Sequence, residues 1–304
     1  MKRQSNSPSR VPAIDKWFGH TQQAKGDSRP MTATETLEAF SLAHVPYELM
    51  YPQLHDELTG AEGVDLFIKS LESKRNDDRQ TVEGALPSLL RLQIPREERD
   101  TIYDAHEEQR LLRFEGPLAL LLAALKYNSE TNQVGRLRQL YIAQASLDDL
   151  PRELLEDLPT PDIVRNAGRG DIYASSLWLG LEPTYTPLHR DPNPNIFVQL
   201  CSSKVVRLLP PSQGDSVFRQ VQMRLGRHGG NSRLRGAEMM EGSERKLLYE
   251  AIWEEQYMSG WERAIQEVDL EPGDALFIPK GWWHSVKSGF DDGRLNGSVN
   301  WWFR

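Results

Sequence analysis

Apolar positions along the chain fall into two regimes. Between about residues 31 and 135 they recur with helical spacing: Val64, Phe67, Ile68 and Leu71 stand at i, i+3, i+4 and i+7, one face of an amphipathic helix. Thr32 followed by Glu35 has the spacing of a capping box at a helix start. Pro117 stands where a first helical turn tolerates proline, ahead of the apolar run Leu118 to Leu125. After about residue 138 the texture changes to short apolar or alternating runs broken by Gly, Pro and Asn, the signature of antiparallel strands. The runs are Leu140 to Ala143, Ser176 to Leu179, Ile196 to Leu200, Val205 to Leu209, Ala275 to Ile278 and Ser298 to Phe303. They predict two packed sheets or a squashed barrel. Residues 211–269 read as an insertion on its rim, with a helix near Lys246 to Met258.

Residues 1–30 show no periodicity and mix six basic and two acidic side chains with Ser, Pro and Gln, which predicts a disordered tail. The division expected is therefore a tail over 1–30, a helical region packing on the core over 31–137, and a β domain over 138–304. No stretch of about 18 apolar residues is present, so no membrane span is predicted. The N-terminus has no apolar segment behind its basic residues, and the protein is expected to be intracellular, cytoplasmic or nuclear. With 36 Lys and Arg against 44 Asp and Glu the net charge is −8, which argues against general polyanion binding. A nucleic-acid partner is not indicated. The single cysteine, Cys201, excludes both an internal disulfide framework and a cysteine zinc knuckle.

Chemistry enters at Thr186-Pro187-Leu188-His189-Arg190-Asp191. On an extended backbone residues i and i+2 face the same way, so His189 and Asp191 can offer an imidazole nitrogen and a carboxylate oxygen to one metal ion. A third ligand is available at His284, 93 residues after Asp191, behind a strand and a Pro-Gly turn. Two His and one carboxylate form the facial triad that leaves positions open and suits non-haem Fe(II) oxygenases. Trp282 and Trp283 beside it read as core. His20, His44, His55, His106 and His228 lack spaced partners and are assigned no chemistry.

Residues 138 to 304 resemble the JmjC (cupin-like) Fe(II) and 2-oxoglutarate-dependent oxygenases, in particular their small hydroxylase branch. The metal motif falls on His189, Asp191 and His284. A Leu-Tyr-x-x-Gln-like segment is matched by Leu140-Tyr141-Ile142-Ala143-Gln144, and the closing Val-Asn-aromatic strand by Val299-Asn300-Trp301-Trp302. The resemblance implies a double-stranded β-helix, or jelly roll, with a helical N-terminal region and a helical insertion. It also implies Fe(II), 2-oxoglutarate and O2 as cofactor and co-substrates, and Tyr141, Thr186, Asn195, Lys204, Asn300 and Trp302 around the co-substrate. Lys204 would meet the distal carboxylate, with the hydroxyls of Tyr141 and Thr186 beside it, because an anion in a dry site needs both charge and hydrogen bonds.

The activity implied is hydroxylation of a protein side chain coupled to decarboxylation of 2-oxoglutarate to succinate. A metabolite, a tRNA base or a methyl-lysine are alternative substrates. A non-redox cupin enzyme using Zn(II) or Mn(II) would account for the ligands but leave Lys204, Tyr141 and Thr186 without work. A catalytically silent binding module is disfavoured because no ligand is missing. The chain ends at Arg304, so the C-terminal helices by which some relatives dimerise are not expected, and the oligomeric state stays open. In the insertion Arg219, Arg224, Arg227, Arg233 and Arg235 face one acid, Asp215, before an acidic second half. That split reads as a solvated mobile loop, or as a lid with a basic inner edge.

Overall fold

The computed structural model describes residues 11–20, 31–52, 58–73, 109–167, 169–227, 242–254 and 260–304. Eight strands build the jelly roll: β6 (Ile172–Leu181), β7 (Tyr185–Arg190), β8 (Asn195–Cys201), β9 (Lys204–Leu209), β10 (Gln266–Leu270), β11 (Ala275–Ile278), β12 (Trp283–Ser288) and β13 (Leu295–Phe303). One sheet runs β10-β9-β12-β7, and the facing sheet contains β11-β8-β13-β6. Consecutive strands thus alternate between the sheets except for β9 and β10, which pair with each other within the four-stranded sheet, the connectivity of a double-stranded β-helix.

The region expected to be helical over 31–137 contributes strands as well as helices. After β1 (Phe18–His20) pairs with β2 (Met31–Ala33), β3 (His44–Pro52), β4 (Gln109–Pro117) and β5 (Leu140–Ser146) widen the second sheet to seven strands, in the order β6-β5-β3-β4 at that end. Thr32 lies in β2 and caps no helix; its hydroxyl donates to the Gly19 carbonyl. Pro117 ends β4, and the helix behind it begins at Ala119.

The tail expected over 1–30 is ordered where it is described. A short helix, α1 (Ala13–Lys16), and β1 bury Val11, Ile14, Trp17 and Phe18. Asp157 holds this segment, accepting from Trp17 Nε1 at 2.9 Å and Lys16 Nζ at 2.5 Å. Residues 1–10 and 21–30 lie outside the described residues, as do His55, His106 and His228.

Alternation along β13 shows how the layers divide. Leu295, Val299, Trp301 and Phe303 point outward into the main core, shared with α3 (Leu58–Ser73) and α4 (Ala119–Glu130), after α2 (Glu35–Glu38). Val64, Phe67, Ile68 and Leu71 of α3 are buried there, as their spacing predicts. Asn296, Ser298 and Asn300 take the other parity and face the space between the sheets. One end of that space is filled by Phe197, Val206, Leu208, Leu270, Leu276, Ile278 and Val286, drawn from both sheets.

After α5 (Arg152–Glu156) and α6 (Asp162–Asn166), the insertion provides α7 (Pro211–Arg224) and α8 (Gly242–Trp253), packed on the outer face of the four-stranded sheet. It is shorter than the expected 211–269, because Gln266–Leu270 is a core strand paired with β9. Two arginines of its basic half pair within it: Arg227 with Glu244 at 2.8 Å and Arg224 with Glu250 at 3.9 Å. Arg233 and Arg235 lie outside the described residues.

Close approach of β5 to β6 requires a glycine. A Cβ on Gly180 would lie 2.4 Å from the Leu140 carbonyl oxygen and 2.6 Å from Tyr141 Cα. Gly180→Ala is expected to destabilise the fold by about 1–3 kcal/mol in chemical denaturation, the usual range for overpacking. Tyr141 would be displaced with it.

Candidate active site

His189 and His284 are cross-strand neighbours on β7 and β12, with ring centroids 4.2 Å apart. Asp191 stands just past the end of β7, on the same side as His189. Its Oδ1 is 3.7 Å from His189 Nε2 and its Oδ2 3.5 Å from His284 Nε2. Ligand atoms of all three lie within 4.8 Å of one another, a spacing that one metal ion can bridge.

Backbone carbonyls aim both rings. The Pro187 carbonyl lies 2.9 Å from His189 Nδ1 and the Trp282 carbonyl 3.3 Å from His284 Nδ1. Donation from Nδ1 leaves each Nε2 lone pair facing the ligand group. Burial, aided by the neighbouring His189, pushes His284 down to about 4, so its ring is neutral near pH 7 and open to a metal. Burial alone would raise Asp191, but His284, His189 and hydrogen-bond donors outweigh it and hold the carboxyl below its ordinary value. The donor in reach is Asn195 Nδ2, 3.2 Å from Oδ2. The buried Trp302 indole N–H makes no hydrogen bond of normal geometry but pulls in the same direction.

A register shift in β7 resolves a parity problem in the sequence. Thr186 and His189 are three apart, which on a regular strand puts them on opposite faces. Between His284 and Val286 of β12, however, the partners step from His189 to Thr186, so β7 carries one extra residue. The bulge seats Pro187 on an edge strand, where its missing N–H costs nothing, and turns Thr186 into the cavity beside His189.

That cavity, of about 900 Å3, also holds Tyr141, Asn195, Lys204, Asn300 and Trp302, so all nine predicted site residues line one space. They divide into two groups within it. Lys204, 3 % exposed, donates to Tyr141 Oη at 3.0 Å and to Ser298 Oγ at 2.7 Å, with the Phe197 ring centroid 5.4 Å away. Asn195 and Asn300 belong with the metal group: Trp178 Nε1 donates to Asn300 Oδ1 at 2.8 Å, Asn300 Nδ2 to Asn195 Oδ1 at 3.3 Å, and Asn195 onward to Asp191. Sequence reasoning missed Ser298 and Trp178. Ser298 was within reach, because it stands two residues before Asn300 on the same strand and shares its face. Asn195→Ala is expected to weaken metal binding about 10- to 100-fold in chelator competition, the usual loss when an outer partner of a metal ligand goes.

The outer side of the ligand strands is held by α7. Asp215 accepts from Arg190 and from Trp283 Nε1, both at 3.2 Å, and Trp283 stacks on Phe218 at 5.4 Å. Gly214 lies against this tryptophan, where a Cβ would be 2.2 Å from the indole. Trp283 is therefore core, as its sequence context predicts.

A jelly roll with a His-Asp-His group on facing strand ends, and a buried lysine deeper in the same cavity, defines the metal-binding cupin class in its JmjC form. Residues 59–304 match the family model of the cupin-like domain, and the chain belongs to that JmjC-related family. It is 30 % identical over 158 residues to lysine-specific demethylase JMJ30 of Arabidopsis thaliana, covering 52 % of this chain and 33 % of that protein. Lysine-specific demethylase 8 of Danio rerio is 29 % identical over 165 residues, 54 % of this chain and 36 % of that protein. JmjC domain-containing protein F of Dictyostelium discoideum is 27 % identical over 157 residues, 49 % and 33 % respectively. The matched segment spans about a third of the length of these relatives. Among the described residues no helix is long and apolar enough to cross a membrane.

Proposed function

We propose that the protein is an Fe(II)- and 2-oxoglutarate-dependent oxygenase that hydroxylates a side chain of a protein substrate inside the cell. One observation carries this reading. The Lys204 ammonium is buried in the wall of the metal cavity and has no carboxylate within 4 Å among the described residues. Two of its three N–H groups are used by hydroxyls, and a buried cation of this kind calls for an anionic ligand. A non-redox metal cupin leaves that cation unexplained.

The donor set fits the metal: two imidazoles and one carboxylate suit ferrous ion and leave positions open on one side. When bound, the iron supplies the reduction of dioxygen coupled to oxidative decarboxylation of the keto acid. His189, Asp191 and His284 hold the ion, and the Pro187 and Trp282 carbonyls keep both Nε2 atoms facing it. Lys204, Tyr141 and Ser298 receive the distal carboxylate of 2-oxoglutarate, with Thr186 on the same wall. The Trp178, Asn300 and Asn195 relay fixes Asp191 in place. Phe197, Trp178 and Trp302 add apolar surface to the same wall, which strengthens ionic contacts inside the cavity once substrates displace water from it.

The names of two relatives support a second reading, demethylation of a methyl-lysine. It starts from the same C–H hydroxylation, now on an N-methyl group, and ends with loss of formaldehyde. Incubation with Fe(II), 2-oxoglutarate and O2 is expected to give succinate that vanishes in His189→Ala and Asp191→Ala. Mass spectrometry of candidate peptides, with tRNA and metabolite pools alongside, separates the readings: a product heavier by one oxygen supports hydroxylation, and formaldehyde supports demethylation. Turnover with Zn(II) and no oxygen demand would overturn both.

A further inference from the structure

Glu182 lies in the turn between β6 and β7, at the opposite end of β7 from the metal group, and is completely buried. Its Oε1 accepts from Ser202 Oγ at 2.6 Å and from Asn296 Nδ2 at 2.8 Å, and its Oε2 from the Phe290 backbone N–H at 2.7 Å. The first two contacts share a pattern. Ser202 is two residues before Lys204, and Asn296 two residues before Ser298, the hydroxyl that accepts from Lys204. Asn296 also donates to the Ser203 carbonyl at 2.9 Å, and Gln199 Nε2 to the Ser202 carbonyl at 3.1 Å, across a turn that holds Ser202 at φ 56°. Neither Glu182 nor Lys204 has an oppositely charged group within 4 Å among the described ion pairs, and Arg294, the cation nearest Glu182 in sign and effect, is bonded to Asp292. Burial raises Glu182 above the ordinary carboxylate value, opposed by its three hydrogen-bond donors and Arg294, so the Glu182 acid and the Lys204 amine are two buried groups of opposite sign, neither of them in an ion pair within 4 Å among the described residues.

We propose that Glu182 is a positioning residue for the co-substrate: its carboxylate clamps the turn that carries Lys204 and the strand that carries Ser298, and gives the Lys204 ammonium its counter-charge across the barrel end. The inference rests on the oxygenase reading. An amide would satisfy the Ser202 hydroxyl, but it would leave the Lys204 ammonium with two neutral hydroxyls and no counter-charge. Burial brings Lys204 down to about 7, and Glu182 opposes that drop; Tyr141 is the other titratable group against the ammonium, and Cys201, Tyr141 and Arg294 are those that feel Glu182. 2-Oxoglutarate binds the protonated lysine, so its affinity is set by that charge as pH rises.

The test is calorimetric titration of 2-oxoglutarate into the Mn(II)-loaded protein under argon, between about pH 6 and about pH 9, with proton uptake read from buffers of different ionisation enthalpy. Wild-type affinity should fall above a break near the Lys204 value. E182Q should move that break down by at least ~0.5 of a pH unit, about threefold weaker binding above it, while affinity below it is unchanged or tighter because a like charge has gone. Mn(II) affinity should be the same in both. S202A removes one hydrogen bond to the carboxylate and keeps the charge, so its break should stay with wild type. If E182Q does not fold, E182D retains the charge at a greater distance and should move the break the same way by less. An unmoved break, uniform weakening at every pH, or an S202A displacement as large as that of E182Q would overturn the inference. Absence of 2-oxoglutarate binding by the wild-type protein would overturn the oxygenase reading itself.

Discussion

Asp191→Ala is expected to abolish metal loading and, with it, all succinate formation. The carboxylate is the only anionic member of the group, and it sits between the two imidazoles, 3.7 Å from one Nε2 and 3.5 Å from the other. Without it a divalent cation would meet two neutral nitrogens in a partly buried pocket with no charge to offset its own. Loss of an outer partner alone costs about 10- to 100-fold in affinity, so loss of this ligand should exceed ~100-fold. Thermal unfolding gives a reading independent of activity. At a metal concentration ~100 times Kd, binding stabilises the wild-type protein by about 2.7 kcal/mol, and Asp191→Ala should show none of that rise. The pH dependence has a definite sign. Both imidazoles must be neutral and the carboxyl ionised to bind, so affinity falls as pH falls. His284, held down to about 4 by burial, is not the group that sets the neutral-pH limb. A metal-induced shift retained by Asp191→Ala would remove this residue from the ligand set.

The metal group was legible in the sequence because its chemistry is carried by parity and residue type: His-x-Asp on an extended backbone, and a histidine delivered by a Pro-Gly turn. Lys204, Tyr141 and Thr186 were legible only through family resemblance, since a lysine in a strand reads as an edge residue until something shows that its strand is inside. What stayed hidden depends on partners far along the chain. Trp17 and its neighbours look like part of a polar tail, and only Asp157, 140 residues away, makes a buried anchor of them. Gln266–Leu270 is polar at three of five positions because β10 is an edge strand with one buried residue, so it reads as loop. In β3 the alternation Val45, Tyr47, Leu49 is a strand pattern. It was overlooked beside the stronger helical periodicity of α3. The bulge in β7 could not be read at all, for it appears only when the register against β12 is known. Glu182 escaped notice for a similar reason: its three donors come from β8–β9, β13 and the loop before it, and nothing local marks it as buried.

Lys204→Met should weaken 2-oxoglutarate binding while leaving Mn(II) affinity at the wild-type value. Truncating one partner of a buried, hydrogen-bonded charge pair costs about 2–5 kcal/mol, roughly 30-fold to several-thousand-fold in the dissociation constant. Calorimetry under argon reads this without turnover, and saturating 2-oxoglutarate should restore part of the succinate rate, because the lysine binds the co-substrate and does not touch the reacting carbon. The same variant has a second signature in the protein without co-substrate. The folded-state value of Lys204 is about 7, below the ordinary 10.5. Between those two values the unfolded chain holds more protons than the folded one, so wild-type stability should rise with pH through that window. Lys204→Met has no such proton to lose, and its stability should be flatter there and greater than wild type below the window, where the wild-type fold must bury a charged ammonium. 2-Oxoglutarate supplies the missing anion, so adding it should stabilise the Mn(II)-loaded wild-type protein most at the acid end and the variant hardly at all. A variant that binds 2-oxoglutarate as wild type does, or that loses its metal instead, would show that Lys204 does not hold the co-substrate carboxylate.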